Sequence, residues 1–314
     1  MSVVLSATGV FKRYRAGVAQ WGASIEALRG MDLEARHGEL VGLLGPNGAG
    51  KSTFMLCAAG LLRPDSGTLS WFGSSRSPFG RPPGVAYVPE RSLYPRFLSV
   101  REALEFYATL HELSGTERAE RVRSALDRVG LGEHATKRVA HLSRGMVQRL
   151  GVAQAIIGRP RLLLLDETLS GLDPVGAREM RELLRGLREE GVTIILSSHD
   201  LLSLEHLASR IVVMKDGRAH AAINPADITG GRTLVLTVDA PRIAASRLQS
   251  RRPTATLLGE ELHIPLDGDS PEDVLAECLA VGVGVRSSVI RRDDLEQRFF
   301  DLIDRPSRVA EPNA

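Results

Sequence analysis

The chain has 314 residues, of which 43% are hydrophobic, 25% are charged and 4% are aromatic, and its formal net charge is +2. This length and hydrophobic content exclude a disordered chain and predict one large domain plus one small domain. The near-neutral charge and the few aromatic residues argue against a dedicated nucleic-acid binder, which needs a basic surface and side chains that stack on bases.

The two cysteines, Cys57 and Cys278, lie far apart and belong to no CxxC pattern. Neither a disulfide framework nor a zinc site is therefore indicated, and a reducing cytoplasm fits this usage. The N-terminal residues lack the apolar core of a secretory signal, and no segment reaches the roughly 18 apolar residues that span a bilayer. We therefore expect a soluble chain.

Short, continuously apolar runs alternate with helical patterns over residues 1–220. Such runs are typical of parallel strands that are covered on both faces. The predicted strands are residues 40–44, 85–88, 162–165, 192–196 and 211–214. Between about residues 91 and 140 the pattern changes to helices alone, as in VREALEFYATLHELSG. The sequence thus predicts an α/β core that carries a helical insert.

A glycine-rich loop follows the first of these strands and fits the pattern GxxxxGK[ST] between a strand and a helix. In such a loop, backbone N–H groups converge on phosphate oxygens, Lys51 neutralises the β- and γ-phosphate charge, and Ser52 ligates Mg²⁺. The candidate phosphate-binding residues are Gly45, Pro46, Asn47, Gly48, Ala49, Gly50, Lys51, Ser52 and Thr53.

The strand at 162–165 ends in two carboxylates, Asp166 and Glu167. Ligands bind at the carboxyl ends of strands in open α/β sheets. With a phosphate loop upstream, we predict that Asp166 holds Mg²⁺ through water and that Glu167 polarises the attacking water. Taken alone, such a pair is more often a solvated turn. His199 follows the next strand; it is either structural or a donor to the γ-phosphate.

The segment HLSRGMVQR, residues 141–149, places Ser143 where it can cap a helix. By itself this is an ordinary helix cap. Between the phosphate loop and the carboxylates, however, it resembles the LSGGQ signature of the ATP-binding cassette (ABC) family. The resemblance implies that Ser143 and Gly145 grip a γ-phosphate bound on a second subunit, so that two chains close head to tail over two ATP molecules.

The resemblance covers residues 1 to about 222 and implies further roles. Tyr14 looks like the aromatic residue that stacks on adenine, with Trp21 as a rival, and His199 is similar to the switch histidine. Glu90 stands where the family has a glutamine that links Mg²⁺ to the membrane partner, and Asp173 belongs to the dimer-contact loop.

The sequence departs from the family pattern at several of these positions. Glu90 replaces glutamine, and it still offers a metal ligand. Arg144 and Met146 replace Gly and Gln of the signature, as in bacterial exporter-like members. Thr168 and Leu169 replace the usual Pro-Thr after the catalytic glutamate, which bears on the geometry of the dimer-contact loop. The segment 89–113 and the ending DLEQRFFDL also resemble that exporter-like subfamily.

After Asn224 and Pro225 a linker precedes a different pattern. It predicts a strand at 234–238, a helix at 241–250, a hairpin around Gly259, a helix capped by Ser270 and a final strand at 285–290. This β-α-β-β-α-β order predicts a small α+β unit that serves dimer bracing or regulation. We therefore divide the chain into an ATP-binding domain, residues 1–225, and an accessory domain, residues 226–314.

The predicted fold class is accordingly α/β, with a P-loop NTPase core of ABC type. The resemblance implies an ATPase with ATP and Mg²⁺ as ligands, a polytopic membrane-spanning permease as partner, and a second copy or a paralogous subunit. It implies no direct nucleic-acid partner, a peripheral location at the cytoplasmic face of the plasma membrane, and export. The alternatives are a soluble regulatory or nucleic-acid-associated ATPase, and a module that binds ATP without hydrolysing it.

Overall fold

A computed structural model describes residues 2–15, 24–75, 82–205, 207–225, 232–248, 251–266 and 269–292. The described residues form two compact units, one that ends at Ile223 and one that begins at Asn224. Each unit has a hydrophobic core of its own.

A six-stranded sheet forms the centre of the first unit, in the order β5-β6-β7-β3-β8-β9. All neighbours are parallel except β8 and β9. The predicted parallel strands are therefore confirmed. The strands are β3 (Leu40–Leu44), β5 (Val85–Val88), β6 (Leu162–Leu165), β7 (Thr193–Ser198), β8 (Arg210–Lys215) and β9 (Arg218–Ile223).

Helices surround this sheet and supply the predicted helical insert, which contains α2 and α3. Ser99 begins α2 with a reciprocal capping box, because its side chain accepts from the backbone of Glu102 while the Glu102 carboxylate accepts from the backbone of Ser99. The helices are α1 (Lys51–Ala58), α2 (Val100–Leu110), α3 (Gly115–Arg128), α4 (Arg144–Ile157), α5 (Pro174–Glu189) and α6 (Leu201–Glu205).

A three-stranded antiparallel sheet, in the order β2-β1-β4, was not predicted from the sequence. Its strands are β1 (Val3–Arg15), β2 (Ser24–Arg36) and β4 (Ser66–Trp71). Side chains of this sheet and of the parallel sheet share one core around Phe54 of α1. The indole of Trp71 also donates to the carbonyl of Ala58 at 2.8 Å, which joins β4 to the end of the helix that follows the glycine-rich loop.

The second unit has the predicted order β-α-β-β-α-β. Its antiparallel sheet has the strand order β11-β12-β10-β13. Ser270 caps the second helix by accepting from the backbone N–H of Asp273 at 3.1 Å, as predicted. The ending DLEQRFFDL lies outside the described residues. The elements are β10 (Arg232–Val238), α7 (Pro241–Leu248), β11 (Thr256–Leu258), β12 (Glu261–Pro265), α8 (Pro271–Ala280) and β13 (Val285–Arg292).

None of the helices among the described residues combines the length and the apolar composition that a membrane crossing requires.

Candidate functional site

The glycine-rich loop leaves the fully buried strand β3 and enters α1. Gly48 and Gly50 have φ values of +85° and +99°, a region that favours glycine. A Cβ on Gly45 would overlap the carbonyl oxygen of Met214, and one on Gly50 would overlap that of Ala27. The close approach of neighbouring backbone therefore requires glycine at positions 45 and 50.

Lys51 is the first residue of α1, and its side chain is buried. Its ammonium donates to the carbonyl oxygens of Gly45 at 2.6 Å and Pro46 at 3.2 Å, and it lies 3.2 Å from the carboxylate oxygen Oε1 of Glu167. The structure thus brings two predicted catalytic residues together. Ser52, the next residue, is exposed to solvent.

Glu167 follows β6 in a left-handed conformation, with φ +48°. A non-glycine residue there costs about 1–3 kcal/mol and is a pointer to a functional site. The backbone N–H of Glu167 donates to the hydroxyl of Ser197 at 2.9 Å, and Oε2 lies 2.8 Å from Nδ1 of His199. Oε1 is buried and has no hydrogen bond to any described residue.

Asp166 is almost fully buried, and two hydroxyl groups hold its carboxylate. The hydroxyl of Ser197 donates to Oδ1 at 2.6 Å, and that of Tyr87 donates to Oδ2 at 3.3 Å. Sequence analysis missed both donors. The signal for Ser197 was present, because the apolar strand β7 ends in two buried serines. Nothing in the local sequence around Tyr87 marked it.

The start of α4 forms a second group of predicted residues. Ser143 caps this helix by accepting from the backbone N–H of Met146 at 3.2 Å. A Cβ on Gly145 would lie 3.2 Å from Cδ2 of Leu172, and one on Gly171 would lie 2.5 Å from Nη1 of Arg144. The first turn of α4 is therefore packed against the loop that follows Glu167.

That loop connects the second group to the catalytic carboxylate. The backbone N–H of Ser170 donates to the carbonyl of Glu167 at 3.0 Å, and the amide of Gln148 on α4 donates to the carbonyl of Ser170 at 3.3 Å. Asp173 ends the loop and caps α5 by accepting from Gly176 N–H at 2.6 Å. Thr168 and Leu169 differ from the usual Pro-Thr of the family, but the loop that contains them still ends in the residue that caps α5.

The remaining predicted residues lie at the margin of the site. Tyr14 is 40% exposed, and its hydroxyl lies 3.5 Å from that of Thr53 on α1, so its ring stands beside the glycine-rich loop. Glu90 is exposed in the segment after β5. Trp21, the rival of Tyr14, lies outside the described residues.

The arrangement combines an anion cradle, a buried cation and an acid, Glu167, whose Oε1 forms an ion pair with that cation and accepts no hydrogen bond from the described residues. The cradle consists of backbone N–H groups at the start of α1, which together with the helix dipole favour phosphate binding. Lys51 adds a positive charge, while Glu167 is available to accept a hydrogen bond from a small polar molecule. Such a site suits nucleotide phosphates and an attacking water.

Known proteins are similar to this chain in sequence and in fold. A family model described as ABC transporter matches residues 28–170. Linearmycin resistance ATP-binding protein LnrL of Bacillus subtilis (strain 168) is 31% identical over 295 residues, which are 90% of this chain and 94% of that protein. An uncharacterized ABC transporter ATP-binding protein of Synechocystis, sll0415, is 34% identical over 224 residues, which are 70% of this chain.

The match spans 63% of the length of the Synechocystis protein, which is less than two thirds of it. Among solved structures, a dimeric post-hydrolysis state of the ATP-binding cassette MJ0796 bound to ADP and Pi has a TM-score of 0.64 and 25% identity. That likeness covers 70% of this chain and 98% of the other.

Proposed function

Because this chain belongs to the ABC transporter family, as an ATP-binding protein, we propose that it binds and hydrolyses ATP to drive a transporter. The observation that carries the proposal is the meeting of Lys51, Glu167 and His199 at the glycine-rich loop. The resemblance predicted from the sequence is thereby confirmed at the level of the family and of the fold.

ATP binding rests on the loop and on Lys51. The ammonium of Lys51 is held by two carbonyl oxygens and paired with Glu167. Phosphate oxygens of a nucleotide in the cradle offer the same ammonium further anionic acceptors beside the Glu167 carboxylate. Tyr14, beside the loop, is the proposed platform for adenine.

The residues around the cradle also fit Mg²⁺. Ser52, Asp166 and Glu90 offer oxygen ligands, which Mg²⁺ prefers, and such sites use one or two carboxylates together with substrate phosphates. Among the described residues no cluster of three or more His, Cys, Asp or Glu side chains could hold a metal. We propose nucleotide phosphates as the remaining ligands. When bound, Mg²⁺ neutralises charge on the phosphates.

Hydrolysis is assigned to Glu167. Its Oε1 is buried, lies 3.2 Å from the Lys51 ammonium and accepts no hydrogen bond from the described residues, so it has capacity for one from the attacking water, while His199 orients the carboxylate through Oε2. A positioned general base contributes about 10²- to 10⁴-fold to the rate. This arrangement favours a hydrolysing subunit over a module that only binds ATP.

Dimer closure is assigned to the start of α4. Ser143 and Arg144 at the start of this helix are exposed, and the N-terminal N–H groups and dipole of a helix attract an anion. We propose that Ser143 and Gly145 of one copy, or of a paralogous subunit, contact the γ-phosphate on the other. Asp173 ends the loop that follows Glu167 and packs against α4. We propose that this loop links dimer closure to hydrolysis.

A surface for the membrane-spanning partner lies on the helical insert. An open groove of about 500 Å³, named here the insert groove, runs between the parallel sheet and α2 and α4. Large apolar side chains that are more than half exposed lie in the groove, on the segment before α2 and on α2 itself. They are Leu61, Leu93, Phe97, Phe106 and Leu110.

Exposed apolar patches of this kind mark protein interaction sites. We propose that a polytopic permease binds at the insert groove, with Glu90 beside it, and holds the chain at the cytoplasmic face of the plasma membrane. A relative that is named for linearmycin resistance favours export over import. The cargo is a property of the permease.

The test is purification of tagged Glu167→Gln protein from solubilised membranes with Mg-ATP. A polytopic membrane protein recovered in fixed ratio supports the proposal. Recovery only from cytosol, alone or with ribosomes or DNA, supports the soluble regulatory alternative. A second variant, Leu93→Glu with Phe97→Glu, should lose the membrane partner and still bind ATP, because both side chains are exposed and neither contributes to the cradle.

A further inference from the structure

Tyr87 connects the insert groove to Asp166. It lies on β5, where it pairs with Leu164 of β6, and the backbone N–H of Asp166 donates to the carbonyl of Val88 at 2.9 Å. This register places the Tyr87 hydroxyl 3.3 Å from Oδ2 of Asp166. The hydrogen bond is therefore built into the pairing of two central strands.

The two oxygens of the Asp166 carboxylate have different donors. Ser197, the donor to Oδ1, is almost fully buried, and its hydroxyl also accepts from the backbone of Glu167. Tyr87, the donor to Oδ2, is only partly buried. Tyr87 is therefore the donor that a molecule outside the site can reach.

The same tyrosine lines the insert groove, together with Tyr107 of α2 and Gln154 of α4. The ring of Tyr107 packs edge-on against that of Tyr94 at 5.9 Å, and the Tyr94 hydroxyl donates to Gln154 at 2.7 Å. Tyr94 thus braces two side chains of the groove lining, Tyr107 and Gln154, and a molecule that fills the groove contacts Tyr87.

The hydrogen bond from Tyr87 holds one oxygen of the Asp166 carboxylate. The phenol hydroxyl is the donor, and Oδ2 of Asp166 is the acceptor. Hydrogen bonds to an ionised acceptor are the strong ones, so a small displacement of the ring changes the environment of Asp166.

We infer that Tyr87 positions Asp166 for metal binding and transmits occupation of the insert groove to the metal site. The inference rests on the proposed function, which assigns the metal to Asp166 and the groove to the membrane partner. It adds a route from the insert groove to the metal site, and this route runs through the side chain of Tyr87.

The first experiment measures Mn²⁺, as a paramagnetic substitute for Mg²⁺, by EPR titration of the ADP-bound chain. Tyr87→Phe should weaken Mn²⁺ binding by about 10-fold, the lower end of the effect of residues that orient metal ligands. Tyr107→Phe, a groove tyrosine with no hydrogen bond to Asp166, should bind Mn²⁺ like the wild type. Circular dichroism of both variants should match the wild type, since only a hydroxyl is removed.

Equal Mn²⁺ affinity in Tyr87→Phe and wild type overturns the inference and leaves the proposed function intact. A wild-type chain that binds ADP and no Mn²⁺ contradicts the metal assignment itself, and the inference falls with it. The two failures are therefore distinguishable.

The second experiment fills the groove. Both native cysteines are buried, so a bulky maleimide can be attached selectively to Leu110→Cys in the groove, with the exposed Glu120→Cys on α3 as control. The label at 110 should change Mn²⁺ affinity several-fold with Tyr87 present and leave it unchanged in the Tyr87→Phe background. The same change in both backgrounds overturns the role of Tyr87 in transmission.

Discussion

The ammonium of Lys51 lies 3.2 Å from Oε1 of Glu167, and both side chains are buried. The cation of the glycine-rich loop and the acid that follows β6 therefore neutralise each other in one pair. Breaking a buried pair by removing one partner leaves a charge without compensation. We propose that nucleotide phosphates replace Glu167 as the anionic partner of Lys51, which would leave Glu167 available to water.

The variant Glu167→Gln should bind ATP and hydrolyse it about 10²- to 10⁴-fold more slowly, because the amide cannot serve as general base. Its size is unchanged, so the cradle stays intact. Single-turnover hydrolysis and binding of a fluorescent ATP analogue measure the two properties. Glu120→Gln, at an exposed position of α3, is the control and should match the wild type. Normal turnover in Glu167→Gln would contradict the assignment.

The variant Gly50→Ala should lose nucleotide binding and unfold at lower urea concentration than Gly48→Ala. Both residues have positive φ, which costs alanine about 1–2 kcal/mol. Only at Gly50 does the added Cβ also overlap the carbonyl of Ala27 and approach Cε of Met214 at 2.9 Å, whereas Gly48 faces open space. Urea titration and nucleotide binding compare the two variants. Equal losses would show that backbone strain alone decides the effect.

The variant Gly171→Ala should slow ATP hydrolysis by about 10- to 100-fold, since a misplacement of about 1 Å can cost 100-fold. Gly171 has φ +70°, where alanine is strained by about 1–2 kcal/mol, and the new Cβ would also lie 2.5 Å from Nη1 of Arg144, so that this guanidinium would have to move. Gly186→Ala is the control, because its site inside α5 has open space and alanine favours a helix by up to about 1 kcal/mol. The control should be active and slightly more stable in thermal unfolding.

Neither cysteine should react with iodoacetamide at pH 8 in the folded chain. Burial raises the pKa of Cys57 to about 12 and that of Cys278 to about 11, and the thiolate is the reactive form. Mass spectrometry before and after denaturation counts the alkylated thiols, with both expected to react only after unfolding. Rapid labelling of the folded chain at either residue would contradict its burial.

The same shifts have a consequence for stability. A thiol whose folded pKa is raised stabilises the fold fully below its ordinary value of 9.0, and this contribution is lost as pH rises towards the folded value of about 12 for Cys57. Replacement of Cys57 by serine should therefore make the free energy of unfolding depend less on pH above pH 9. Urea titrations between pH 8 and pH 11 measure this dependence.

Sequence patterns predicted the parts of the fold that local chemistry dictates. The buried runs around β3 and β6 are apolar throughout because parallel strands are covered on both faces. The long strands β1 and β2 were missed, because they belong to an antiparallel sheet in which apolar and polar side chains mix and register shifts interrupt the alternation.

The sequence by itself determined the cradle, the acids Asp166 and Glu167 and the cap Ser143, because each is a residue type that its local backbone and its chemistry require. Only the tertiary structure decided that Lys51 pairs with Glu167 and that Tyr87 and Ser197 hold Asp166. The physical reason is that these contacts join elements far apart in the chain, and their distances follow from the order and register of strands in one sheet and from the helix that follows β3.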